Sequence, residues 1–189
     1  MIGYLPKQLN INGVDRAIWS DFRTALLIFT ACDDPELDEQ EKVLCMIECL
    51  YQDPDSIPFE DYQEANDKAC WFLEGGGKQT DNSYHQQAKK VMDWEHDEKI
   101  LFSAINKVAG YETRSVDYLH LWTFLGYFNE IGECLFTTVV NIRSKKNKGK
   151  KLEKHEQEFY RENKALVDLK VKLSAEEQEE KERFEKLLG

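Results

Sequence analysis

Apolar residues in this chain recur at the three- and four-residue spacing of a helical face, in segments of a dozen or so residues that proline, aspartate or glycine then closes. In SDFRTALLIFTAC the apolar positions 22, 25, 26 and 29 share one face, and Ser20 or Asp21 stands where a cap is needed. Asp33-Asp34-Pro35 ends that helix, because proline cannot continue the ladder. LDEQEKVLCMIECLY restarts with Asp38 as N-cap and Glu41 three residues on, the spacing of a capping box. Its face is Val43, Leu44, Ile47 and Leu50. PFEDYQEANDKACWFLEGGG gives a third helix, with Phe59, Tyr62, Ala69, Trp71 and Phe72 as contacts and three glycines at its end. DWEHDEKILFSAINKVAGY gives a fourth, from near Asp93 to Gly110. The aromatic stretch DYLHLWTFLGYFNEIG, residues 117–132, then opens what reads as one long helix over 116–142. Two more helices are expected over 152–170 and 174–188, the last with a capping box at Ser174 and Glu177. The exception is Asn12-Gly13, a hairpin signal because both positions tolerate positive φ. The expected fold is mainly α: a helical bundle with a small N-terminal β-hairpin and a C-terminal helical arm.

Turn formers without apolar periodicity mark 75–92 as a linker. This divides the chain into 1–74, the hairpin plus helices; 93–170, a helical body with the long aromatic helix; and 171–189, a charged C-terminal tail. In the tail only Phe184, Leu187 and Leu188 form an apolar face, so it is either frayed or an arm for another chain.

At 189 residues the chain is long enough to fold without a metal or disulfide staple. Five cysteines, an odd number, and an N-terminus without an apolar leader suggest free thiols in a reduced, cytosolic setting. No apolar run is long enough for a membrane helix. A net charge of −11 argues against nucleic acid as the main partner. The charge is uneven, with thirteen acids against one base over 33–67 and seven bases against one acid over 142–154. These runs are either solvated faces or complementary patches that drive self-association, the latter bringing in Lys145, Lys146, Lys150 and Lys151.

Chemistry-bearing patterns are weak. His120 follows Asp117 by three residues, which on one helix would put both on one face, yet no nucleophile, metal partner or oxyanion donor accompanies them. A histidine at a helix contact is the simpler reading. Cys45 and Cys49 lack the spacing partners of a zinc site and read as buried thiols. WEHDE at 94–98 reads as exposed helix surface. GGGKQT at 75–80 lacks the phosphate-loop pattern, with Phe72 at the first glycine position and Gln79 after the lysine. The lysine cluster has no interleaved aromatics or arginines for reading bases and fits a solvated connection better. No catalytic set, cofactor site or metal site is expected.

Two blocks, SDFRTALLIFTACDDPELDEQEKVLCMIECLY at 20–51 and the stretch from Asp117 to Leu169, resemble the small tail-assembly chaperones of long-tailed bacteriophages of Gram-positive hosts. The second block carries the Tyr-Leu-His opening, an Ile-Arg pair before a lysine-rich break, and EFYRENKALVDL. Leu121 departs from the pattern, which leads us to expect a second tryptophan there. The resemblance implies a protein of the host bacterial cytoplasm, encoded beside the tape-measure gene, that binds and solubilises the tape-measure protein and is absent from the finished virion. It implies homo-oligomers along that client, with the major tail protein as a further candidate partner. Other readings are a nucleic-acid-binding regulator using 145–154 and a structural tail component. Tyr118, Trp122, Phe124, Tyr127 and Phe128 are the expected client surface, unless their helix is the buried core.

Overall fold

Asn12 and Gly13 both take positive φ, 46° and 79°, and turn the chain between β1 (Gln8–Ile11) and β2 (Val14–Ala17). The two strands pair antiparallel, with Leu9 opposite Arg16 and Ile11 opposite Val14. Leu9 and Ile11 point into the core, while Gln8 and Asn10 face outward. The computed structural model describes residues 3–77 and 89–170, with Arg183, Phe184 and Lys186 beyond them. Most of the expected linker and of the C-terminal arm, including Ser174, Glu177, Leu187 and Leu188, therefore lies outside the described residues.

Eight α-helices follow the hairpin among the described residues. Asp21 caps α1 (Phe22–Cys32) by accepting the Arg23 N–H. The capping box of Asp38 and Glu41 starts α2 (Glu39–Leu50) as expected. α3 (Tyr62–Leu73) ends in a double-glycine turn. The Gly75 N–H returns to Phe72 O and the Gly76 N–H to Trp71 O, which satisfies two orphan carbonyls. α4 (Glu98–Ala109) stops at Gly110, whose φ of 79° only glycine adopts at ease. It begins later than its sequence pattern indicated, because Asp93 instead caps the preceding turn through the N–H groups of Glu95 and His96.

The long aromatic helix is not formed. Residues 116–120 are not helical, His120 is the extended N-cap of α5 (Leu121–Asn129), and the chain breaks before α6 (Leu135–Asn147). The first break is imposed from far along the chain. The Phe22 N–H donates to Leu119 O, the Leu121 N–H to Ser20 O, and the Leu119 N–H to the Asp21 carboxylate. Those bonds hold the backbone extended where local propensity alone would allow helix. The second break falls at Gly132, and Thr137 restarts the helix by accepting the Cys134 N–H. The expected helix over 152–170 is likewise two, α7 (Lys154–Glu162) and α8 (Lys164–Val167).

One apolar core runs from Leu9 to Phe136 and draws on both sides of the 75–92 segment. Phe22, Ile47, Leu50, Phe72, Leu101, Ile105 and Phe124 are wholly buried in it. A smaller cluster, Val139, Ile142 and Val167, joins α6 to α8. Two expected contacts are absent: Leu44 is exposed, and Phe59 sits in a 3-10 turn at 84% exposure, its ring tilted against Tyr62.

Candidate partner-binding surface

The break at His120 decides what the aromatic residues do. Phe124 is fully buried, stacked on Phe22 at 4.5 Å and tilted against Phe102 at 6.0 Å, so it belongs to the core and not to a client surface. Tyr127 and Phe128 are half-buried against Tyr111, Trp94 and Phe136. Tyr118 is exposed, with Lys7 Nζ 4.9 Å from its ring and its hydroxyl 2.9 Å from Ser20 Oγ. Trp122 is half-buried and donates its indole N–H to Phe72 O at 2.8 Å. The five expected residues thus split into a core member, a packed pair, and two that border the N-terminal strand.

His120 anchors this arrangement. Its Nδ1 accepts the Trp122 N–H and caps α5, and its Nε2–H donates to Pro6 O at 2.9 Å. With one nitrogen accepting and the other donating, the ring is neutral. Burial pushes its pKa down, opposed by the Pro6 carbonyl. Asp117 is exposed and plays no part, so no acid–base pair exists. His120 bonds locally to Trp122 as the N-cap of α5, but its other partner, Pro6, is distant in sequence, so it is not the purely local helix-contact histidine expected.

Beside this anchor lies a groove of about 940 Å³ between β1 and α3, lined by Tyr4, Gln8, Asn10, Glu64, Trp71 and Trp122 among others. Trp71 and Trp122 meet edge to face at 5.3 Å. Gly76 closes one end so tightly that a Cβ there would stand 2.6 Å from the Trp122 ring. Around the groove and the strand, Tyr4, Leu5, Trp19 and Tyr118 are all exposed. Pattern reading missed Trp19 and Tyr4 because neither belongs to a helical repeat. The signal was their place next to strand residues, where one face must look outward.

A second, polar cleft of about 580 Å³ is lined by Asp33, Lys90, Arg143, Lys146 and Asp168 among others. Its charges are largely paired within the chain: Lys90 with Asp33 and Asp93, and Lys146 with Asp168. Behind it Arg143 and Asp97, both buried, form a two-pronged ion pair at 2.6 and 2.8 Å. The reading of WEHDE as exposed surface is therefore corrected. Asp97 is fully buried, Trp94 stacks on Phe29, and His96 bonds Leu166 O. Lys145 pairs with Glu156 at 2.6 Å, so the lysine cluster is in part a clamp that closes α6 onto α7. Lys150 and Lys151 are exposed, as is Phe184.

The cysteines are free and mostly half-buried, with Cys45 and Cys49 Sγ 3.9 Å apart. Burial first, and Cys45 second, push the Cys49 thiol pKa up, which keeps it from acting as a ready thiolate. Among the described residues no group of three or more His, Cys, Asp or Glu side chains is placed to hold a metal ion. No helix among them is long and apolar enough to cross a membrane.

No curated protein and no solved structure matches the chain. A protein family described as Bacteriophage Gp15 protein matches residues 1–169, which takes in the hairpin, the groove, α5 and the Arg143 pair. That span covers every element from β1 to α8, and the chain is a member of the bacteriophage Gp15 protein family.

Proposed function

We propose that this phage protein is a tail-assembly chaperone. It binds the tape-measure protein in the host cytoplasm, keeps it soluble until the tail tube forms, and leaves before the virion is complete. The observation that carries the reading is the set of exposed apolar side chains in and near the N-terminal hairpin, Leu5, Trp19, Tyr118 and Tyr4, the last of which lines the Trp71–Trp122 groove. Exposed apolar patches of this kind mark partner surfaces. The net charge of −11 would keep a complex with an apolar client dispersed. Several copies along one long client would gain from multivalency, each contact being weak. The charge balance favours a protein partner over nucleic acid, since Lys145 and Lys146 already pair with Glu156 and Asp168.

The test is co-expression with fragments of the tape-measure protein encoded by the same phage, followed by pull-down. Wild type should hold a fragment in solution, and the Trp19→Ser, Tyr118→Ser double variant should fold but release it. Folded protein that leaves every fragment insoluble refutes the reading. So does mass spectrometry that finds the chain in purified virions in proportion to tail proteins.

A further inference from the structure

Among the described residues β1 has an open edge, and the groove lies along it. The Ile18 N–H donates to Lys7 O at 3.0 Å, which makes Lys7, Leu9 and Ile11 the hydrogen-bonded partners of Ile18, Arg16 and Val14. The N–H and C=O groups of the alternating residues, Gln8 and Asn10, then point away from β2. On that side Pro6 O receives the His120 ring N–H, and the Asn12 N–H donates to Glu64 Oε2 at 3.1 Å. Between these two anchors the backbones of Gln8 and Asn10 have no partner among the described residues. Both residues line the groove, yet their side chains are tied to the Asp15 carboxylate on the outer face of the hairpin. What they turn toward the groove is main chain. The outer edge of β2 differs: the Trp19 N–H donates to Leu50 O, and Ala17 O accepts the Gln52 N–H.

An unpaired edge beside a trough that holds two tryptophans is the geometry by which sheets accept an added strand. We propose that the groove binds an extended polypeptide segment that pairs with Gln8 and Asn10 as a third strand, seats a large apolar side chain against Trp71 and Trp122, and carries lysine or arginine next to it. The charge preference follows from α3 and the turn before it, where Glu60, Asp61, Glu64 and Asp67 stand against Lys68 alone over residues 59–71. A second copy of this chain fits poorly, because its own β1 would bring the same carboxylates to the shared edge. The inference holds whichever protein supplies the segment, so it stands or falls apart from the tape-measure reading.

The probe is a short amidated peptide, Thr-Lys-Val-Phe-Val-Lys-Thr, titrated into the full chain and followed by amide hydrogen exchange and tryptophan fluorescence. The Gln8 and Asn10 amides should gain protection and the tryptophan emission should shift. Two further peptides, N-methylated on alternate residues in the two possible phases, separate backbone pairing from side-chain contact. One should bind at least about tenfold more weakly and the other nearly as well as the parent. Replacing lysine by glutamate should weaken binding as well. Gln8→Pro removes an outward N–H without touching the β1–β2 ladder and should abolish binding while the protein stays folded. If that variant unfolds, the methylated pair still decides. The proposal is overturned if no peptide binds, if both methylated forms bind alike, or if Gln8 and Asn10 gain no protection. It is overturned equally if Gln8→Pro dissolves a concentration-dependent dimer, which would give the edge to a second copy.

Discussion

Replacing Arg143 by methionine should unfold this protein more readily than almost any other single change at a charged residue. Arg143 uses all five of its N–H groups. Two go to the Asp97 carboxylate, and three go to the carbonyls of Val91, Leu166 and Val167. In Arg143→Met the Asp97 carboxylate stays fully buried with no counter-charge, the Val91 and Val167 carbonyls lose their Arg143 donor, and Leu166 O is left with the His96 ring. Breaking one side of a buried pair costs about 3–5 kcal/mol. For a chain of this size that lowers the melting midpoint by roughly 6–20 °C. Arg143→Lys keeps the charge but offers three donors on one centre, so it should recover less than half of the loss. Asp97→Leu with Arg143→Met removes the stranded charge and should be more stable than Arg143→Met alone, though still below wild type because the Val91 and Val167 carbonyls lose their Arg143 donor. Urea unfolding followed by circular dichroism measures all three. A loss below about 1 kcal/mol for Arg143→Met would mean that Asp97 finds water or another donor, and the pair would then not be what fixes the C-terminal helices to α4.

Three other outcomes are expected. Burial holds the His120 pKa below its ordinary value of 6.5, so the stability that its neutral ring contributes is whole above pH 6.5 and is lost as pH falls through the depressed folded value. His120→Asn keeps an acceptor for the Trp122 N–H, and its urea midpoint should change less than that of wild type between about pH 7.5 and about pH 5.5. Phe124→Lys should unfold the chain, costing about 4 kcal/mol or more, and a soluble, folded variant by circular dichroism and gel filtration would refute its core position. Gly76→Ala should cost more than the 1–2 kcal/mol or so of left-handed backbone strain, because its Cβ meets the Trp122 ring at 2.6 Å. Gly75→Ala, whose Cβ would meet Leu125 at an ordinary 3.5 Å, should show the strain alone, and the difference in melting and in tryptophan emission isolates the clash.

What was legible in the residues was whatever a few neighbours decide. The Asp38–Glu41 box, the Asn12-Gly13 turn and the Gly110 stop each settle within one or two turns of chain, and each formed where its pattern indicated. The buried Arg143 pair also left a trace that run-counting obscured. Arg143 lies four residues after Val139 and seven after Phe136, on the apolar face of α6, and Asp97 lies four before Leu101 and eight before Ile105. Opposite charges on the inward faces of two helices imply that they meet. Within a lysine-rich run and an acidic pentapeptide they read instead as solvated. The open edge of β1 was hidden for a different reason: strand pairing shows which backbone groups are used only once the partner is known.

The misjudged helix over 116–142 and the unforeseen surface have one cause. Periodicity scores a residue against its neighbours, while residues 118–121 answer to Ser20, Asp21 and Phe22, nearly a hundred positions earlier. Had the helix formed, Tyr118 and Trp122 would have stacked four apart on one face of a single rod. Held extended instead, the chain sets Tyr118 against Lys7 and Ser20, and His120 against Pro6, while Trp122 turns to Phe72 and Gly76. The pairing that costs the helix its first turn is therefore what gathers the N-terminal strand, the end of α3 and the start of α5 around one groove. Breaking that pairing at Asp21, which caps α1 and holds the Leu119 N–H, should disperse the aromatic surface before it melts the core beneath it.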